Sequence, residues 1–147
     1  ATHFDKNLET FVKSNETKQF KMVDSIEKKI IKSYKRKIED LINSCEKIYN
    51  LHCKKFYPGH GIPVENPSER IVELIKHRKK REAEILNFLK NRDATISQIT
   101  KKIYLNIDQN LLSVASRNVK AHLVDLIIKK QVTVDDISSD TAIYSLL

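Results

Sequence analysis

The stretch Pro58-Gly59-His60-Gly61-Ile62-Pro63-Val64-Glu65-Asn66-Pro67 holds both glycines and all three prolines of a 147-residue chain. Hairpin turns require positive-φ residues at almost every reversal, so a chain with one island of backbone breakers is not a many-stranded β protein. A mainly α fold is the expectation. The hydrophobic share of 40% is enough for a packed core at this length, which excludes disorder and a collagen-like fibre.

Working outward toward the C-terminus, Asn66-Pro67-Ser68-Glu69 predicts a helix start, with Asn as N-cap, Pro at the first helical position and Glu at N3 completing a capping box. The helix should run to about Lys90, with Ile71, Leu74, Ile75, Ile85, Leu86 and Leu89 as its apolar stripe. Arg78 and Glu82 fall inside that stripe four residues apart, a position that predicts a buried or half-buried ion pair between them. From Thr95 the elements shorten. Ser97 to Tyr104 reads as a short helix, and Asp108 caps a longer one carrying Leu111, Leu112, Ala115, Val119, Leu123, Leu126 and Ile127. Gln131 to Val134 and Ala142 to Leu146 read as strands joined by the polar loop Asp135 to Asp140. Helix, helix, strand, loop, strand is the order of a winged helix-turn-helix with a small β-wing.

Toward the N-terminus, Cys53 to Tyr57 reads as an edge strand or an extended approach to the island. Val23, Ile26, Ile30, Tyr34, Ile38, Leu41, Cys45 and Ile48 are spaced by 3 or 4 throughout, the pattern of one long amphipathic helix. The first twenty residues show no clear period and are expected to be loop or a short helical turn.

The net charge of +8 is unevenly placed. Residues 17–57 carry +6, 66–92 carry +4 and 93–147 carry none, so any surface for an anionic polymer lies in the first two-thirds. Arg117 and Lys120 are the only cations of the presumed recognition helix before its Lys129-Lys130 end, which disfavours sequence-specific DNA readout and favours a packing or substrate-shaping module. The run Lys76 to Arg81 has two readings, a contact for phosphates or a solvated face, and the direction of Lys76, Lys79 and Lys80, away from the apolar stripe, favours the second. No run approaches the roughly 18 apolar residues of a membrane span. Two cysteines, Cys45 and Cys53, are too few for a disulfide framework and point to a reducing, intracellular compartment such as cytoplasm or mitochondrial matrix.

Glycines on both sides of His60 let the backbone turn tightly and leave the imidazole free to project. The residues alone leave two readings, a metal ligand mounted on a loop after a strand or a turn with an incidental histidine. Cys45, His52, Cys53 and His60 fit no common zinc-ligand spacing, Cys45 belongs to the stripe of the long helix, and His122 reads as a packed histidine.

Phe56-Tyr57-Pro58-Gly59-His60-Gly61-Ile62-Pro63-Val64, followed by His77-Arg78, Arg81-Glu82 and Ile85-Leu86, resembles the C-terminal part of metallo-β-lactamase-fold hydrolases, and most closely the β-lactamase-like protein 2 group. The resemblance covers roughly Tyr34 to Leu147. It implies that His60, between Gly59 and Gly61, matches the last histidine ligand of a dinuclear zinc site. It also implies that the helix carrying His77, Arg78, Arg81 and Glu82 connects the hydrolase core to a winged-helix domain and braces both. The group includes endoribonucleases on single-stranded RNA, and its relatives include thioester hydrolases.

The principal metal motif of that family, two histidines one residue apart followed by an Asp-His pair, is absent. His3, His52, His77 and His122 are scattered, and one histidine does not hold catalytic zinc. The expectation is a C-terminal fragment of an αβ/βα metallo-β-lactamase fold that has no catalytic residue of its own and is inactive alone. Residues 1–66 would be a remnant of the core with a long basic helix, 67–92 the connecting helix and 93–147 the winged-helix domain. Thr2 to Leu8 would follow the core's bridging aspartate, with an insertion up to Tyr34. The expected partners are the missing N-terminal core, single-stranded RNA and, through the apolar face a missing core leaves open, a second copy. The competing reading is a free-standing helical or winged-helix interaction or nucleic-acid-binding module.

Overall fold

The computed structural model describes residues 3–147, with side chains from 25 onward. Helix α1 spans His3–Asn50 and is followed by strands β1 (Lys55–Phe56) and β2 (Val64–Glu65) and helix α2 (Pro67–Asn91). Helix α3 (Ile96–Ile103), a 3-10 turn at Gln109–Leu111, helix α4 (Leu112–Ile128) and strands β3 (Val132–Val134) and β4 (Tyr144–Leu146) complete the chain. The fold is mainly α, with a winged helix-turn-helix from α3 onward, as the element order of the sequence implied.

Helix α1 begins at His3, which corrects the expectation of loop over the first twenty residues. A missing period means that no one face is apolar; it does not stop a helix, and the sequence has no glycine or proline before Pro58 to break one. The place proposed for Thr2 to Leu8 beside a core aspartate lies outside the described side chains. Beyond residue 24 the apolar stripe faces the protein: Ile30, Tyr34, Ile38, Cys45 and Ile48 are half-buried. Leu41, on the same stripe, and Ile42 are 45% and 52% exposed. This side of α1 packs on α4 and α2.

The β1 and β2 strands pair antiparallel, Lys55 with Glu65 and Phe56 with Val64, so Cys53 to Tyr57 does contain an edge strand. Asn66 then adopts left-handed φ 51° and makes no side-chain cap, which corrects the capping box expected at Asn66 to Glu69. Its amide is tied back to the Lys54 carbonyl at 3.1 Å, so the residue closes the hairpin, and its side chain is turned out of reach of the N3 amide. Pro67 does stand in the first turn of α2. The reciprocal box occurs instead at α3, where Thr95 Oγ1 accepts from the Gln98 amide at 3.3 Å and Gln98 Oε1 accepts from the Thr95 amide at 3.0 Å.

The core lies between the C-terminal half of α2 and the winged helix. Ile85 and Leu89 of α2 meet Ala94, Ile99, Val119, Leu123, Leu126, Val132, Ala142 and Tyr144. Tyr144 sits on β4, where its backbone also exchanges two hydrogen bonds with Ala94, at 3.0 and 2.8 Å. That bridge fastens the end of α2 to the wing. The Tyr144 ring is fully buried, its hydroxyl finds no partner among the described residues, and burial pushes the phenol up to about 12. Tyr144→Phe removes a buried polar group while keeping the ring, so it is expected to raise stability by about 1 kcal/mol. A urea midpoint at or below that of the wild type refutes this.

Candidate functional site

His60 stands on the loop between β1 and β2, at the N-terminal end of α2. Gly61 takes φ +97°, which an L side chain rarely adopts, and this residue makes the turn. A Cβ at Gly59 would meet nothing within 4 Å, so that glycine is not needed for space. The His60 side chain is exposed, as are Tyr57 at 71% and Ile62 at 86%.

Among the described residues no group of three or more His, Cys, Asp or Glu side chains is placed to hold a metal ion. His52, at φ 49°, lies with its ring 6.2 Å from that of Tyr49, and Cys45 and Cys53 are free, half-buried thiols. The residues present do not by themselves fit a metal centre. What they form is an exposed turn that carries one imidazole at the head of a helix.

Just past the middle of α2 the side chains converge. Glu82 meets Lys129, the C-cap of α4, at 3.3 Å, and Lys129 also meets Asp125 at 3.0 Å. The predicted pairing of Glu82 with Arg78 is therefore corrected: the partner lies 47 residues away in sequence, where α4 packs across α2, and no local spacing reveals it. Burial and the neighbouring Asp125 carboxyl hold Glu82 above the usual carboxylate range. Burial alone would also raise Asp125, but its bonds to Glu82 and Lys129 and the charges of Lys129 and Arg78 outweigh that and hold it below. Arg78 is half-buried. Arg81 stacks its guanidinium 4.4 Å from the Tyr104 ring centroid at the end of α3 and pairs with Glu84 at 2.8 Å.

His122 lies beside this cluster and is buried at 8% exposure. Burial lowers its pKa to about 4, with the charges of Arg78 and Arg81 adding to the effect. It is packed, as its place beside the α4 stripe suggests. Lys129, Asp125 and Tyr104 were not singled out from the sequence. The Asp125–Lys129 step of four residues on α4 was the one available signal.

Residues 95–139 match the beta-lactamase associated winged helix domain. Residues 1–59 match the C-terminal coiled-coil domain of the bacillithiol biosynthesis protein BshC. Two relatives are named beta-lactamase-like protein 2 homolog. That of Caenorhabditis elegans is 34% identical over 94 residues, covering 63% of this chain and 30% of the relative. That of Drosophila melanogaster is 35% identical over 94 residues, covering 60% and 32%. The chain thus spans about a third of the length of these relatives. A crystal structure of a beta-lactamase domain protein from Burkholderia ambifaria superposes with a TM-score of 0.63 at 18% identity, over 71% of this chain and 32% of that one. No described helix is long and apolar enough to cross a membrane. With the winged helix at 95–139 and these relatives, the chain is similar to the C-terminal portion of the β-lactamase-like protein 2 group, and its fold is like that of part of a beta-lactamase domain protein.

Proposed function

We propose that this chain contributes the C-terminal portion of an intracellular, zinc-dependent hydrolase of single-stranded RNA and has no catalytic activity by itself. The observation that carries the reading is the order His60 turn, α2, winged helix, within a stretch similar to two β-lactamase-like protein 2 homologues. In this reading His60 is one zinc ligand, and the other ligands come from a hydrolase core outside the described residues. The positive first two-thirds of the sequence suits a polyanionic substrate.

The test is a zinc-binding titration of the isolated chain beside a gel assay on single-stranded RNA. Neither stoichiometric zinc nor cleavage is expected. Zinc binding with RNA cleavage, both abolished by His60→Ala, overturns the claim of inactivity. In a protein that also carries the core, His60→Ala is expected to lower both zinc content and RNA cleavage, and unchanged zinc content sinks the ligand role.

The coiled-coil match over residues 1–59 and the exposed Leu41 and Ile42 of α1 favour a second reading, a helical interaction module that pairs with a second copy of itself. Val72, Leu74 and Ile75 of α2 are exposed at 41%, 43% and 44% and add to the apolar surface. Sedimentation equilibrium tests the second reading, because a monomer at micromolar concentration is incompatible with it.

A further inference from the structure

We infer that the outward face of α1 around Lys29, Lys32 and Arg36 is a phosphate-binding strip for a single strand of RNA, an inference that rests on the RNA reading above. At about 100° per residue, these three side chains stack on one line of the helix, opposite the half-buried Ile30, Ile31, Tyr34 and Ile38. Lys35 and Lys37 stand on its two shoulders, and all five cations are exposed. No carboxylate occurs between Lys28 and Ile38. Glu39 and Asp40 follow one turn later.

A solvated face with interleaved signs is the ordinary use of surface charge, and α2, apart from the like-charged Lys76, Lys79 and Lys80 at its middle, has one. There Arg70 pairs with Glu73 at 3.0 Å and Arg81 with Glu84 at 2.8 Å. The strip on α1 instead places like charges at helical neighbour positions, Lys29 with Lys32 and Lys32 with both Lys35 and Arg36. Such pairs destabilise a helix. Folding does not call for this arrangement, whereas a row of phosphates relieves it by releasing counterions.

The chemistry also limits the ligand. The three central cations span about 10 Å along the axis at 1.5 Å per residue, and no aromatic side chain stands among them. Tyr34 lies on the packed side, with the Lys37 ammonium 5.6 Å from its ring centroid. Without a stacking platform or a groove to read base edges, binding is independent of sequence and strongly dependent on salt. Behind the strip, Ile30, Ile31, Tyr34 and Ile38 are half-buried on the side of α1 that packs on α2 and α4, so these residues do not offer an open apolar face to a lipid surface.

The experiment is fluorescence anisotropy of the chain with a labelled oligouridylate of about 20 nucleotides, read between about 50 and 200 mM salt. The combined variant Lys29→Gln, Lys32→Gln, Arg36→Gln is expected to flatten the slope of log affinity against log salt by about 2, from three lost contacts at about 0.7 each on a single strand. A matched variant on α2, Lys76→Gln, Lys79→Gln, Lys80→Gln, removes three like-spaced cations from a second helix and is expected to flatten the slope by less than the α1 variant does. Glutamine is a good helix former, and an unchanged circular dichroism signal verifies that α1 persists. The strip is overturned if the α1 variant binds as wild type, if the α2 variant loses as much, if the chain does not bind RNA at low salt, or if vesicles containing phosphatidylserine outcompete the RNA. These failures differ from failure of the hydrolase reading, which is read separately as absence of RNA cleavage by the protein that carries the core.

Discussion

Leu123→Ala is expected to lower the unfolding free energy by about 3–4 kcal/mol, a large part of the roughly 5–15 kcal/mol that holds a domain of this size together. Leu123 is fully buried on α4 among Ile85 and Leu89 of α2, Ile99 of α3 and Val132 of the wing. Four elements close around one side chain, so little can move in to fill the space that alanine leaves. Urea denaturation followed by circular dichroism measures the loss. Leu123→Met, which nearly conserves volume, is expected to cost less than about 1.5 kcal/mol. A loss under about 1 kcal/mol for the alanine variant would mean that the α2–α4 packing is wrong.

Acid should act on the same interface through His122. The folded protein holds this imidazole at a pKa of about 4, against 6.5 for the free side chain. Between those values the unfolded chain binds the proton and the folded chain does not. The stabilising contribution is therefore complete above pH 6.5, falls as the pH drops through that window and is gone below about 4. A separation of this size corresponds to about 3 kcal/mol. Asp125, held below its ordinary value, works in the same direction at lower pH, while Glu82, held above its own, works in the opposite one. His122→Gln removes the titrating group and isolates its share. The urea midpoint of the wild type should drop between pH 6.5 and 4 by more than that of the variant, and parallel profiles would show that His122 is not held neutral by its surroundings.

What the sequence made legible was periodic or punctuated. The stripe from Ile30 to Ile48, the run of α2 to about Lys90 and the helix, helix, strand, strand order after Thr95 all follow from spacing, and each has its counterpart in the structure. The errors share a different cause. At Asn66 the local pattern for a helix cap competed with the need to close a hairpin, and the hairpin tie to Lys54 won. Glu82 had a plausible neighbour in Arg78 one turn back, but tertiary packing delivered Lys129. The start of α1 was missed because periodicity reports burial, and a helix can form without it. For the candidate site, the two glycines marked the turn that carries His60, but one imidazole says nothing of the groups that would have to meet it.

Between the hairpin and the Ala94–Tyr144 bridge runs α2, 25 residues long and thus about 37 Å at 1.5 Å per residue. It works as a ruler. Its near end is set at Pro67 by the hairpin, and its far end is clamped to the wing through Ala94 and Tyr144. The hairpin that carries His60 and the wing bridge sit at opposite ends of one rod, and α4 meets that rod between them, at Glu82. A polymer that touches both ends is measured by the helix between them.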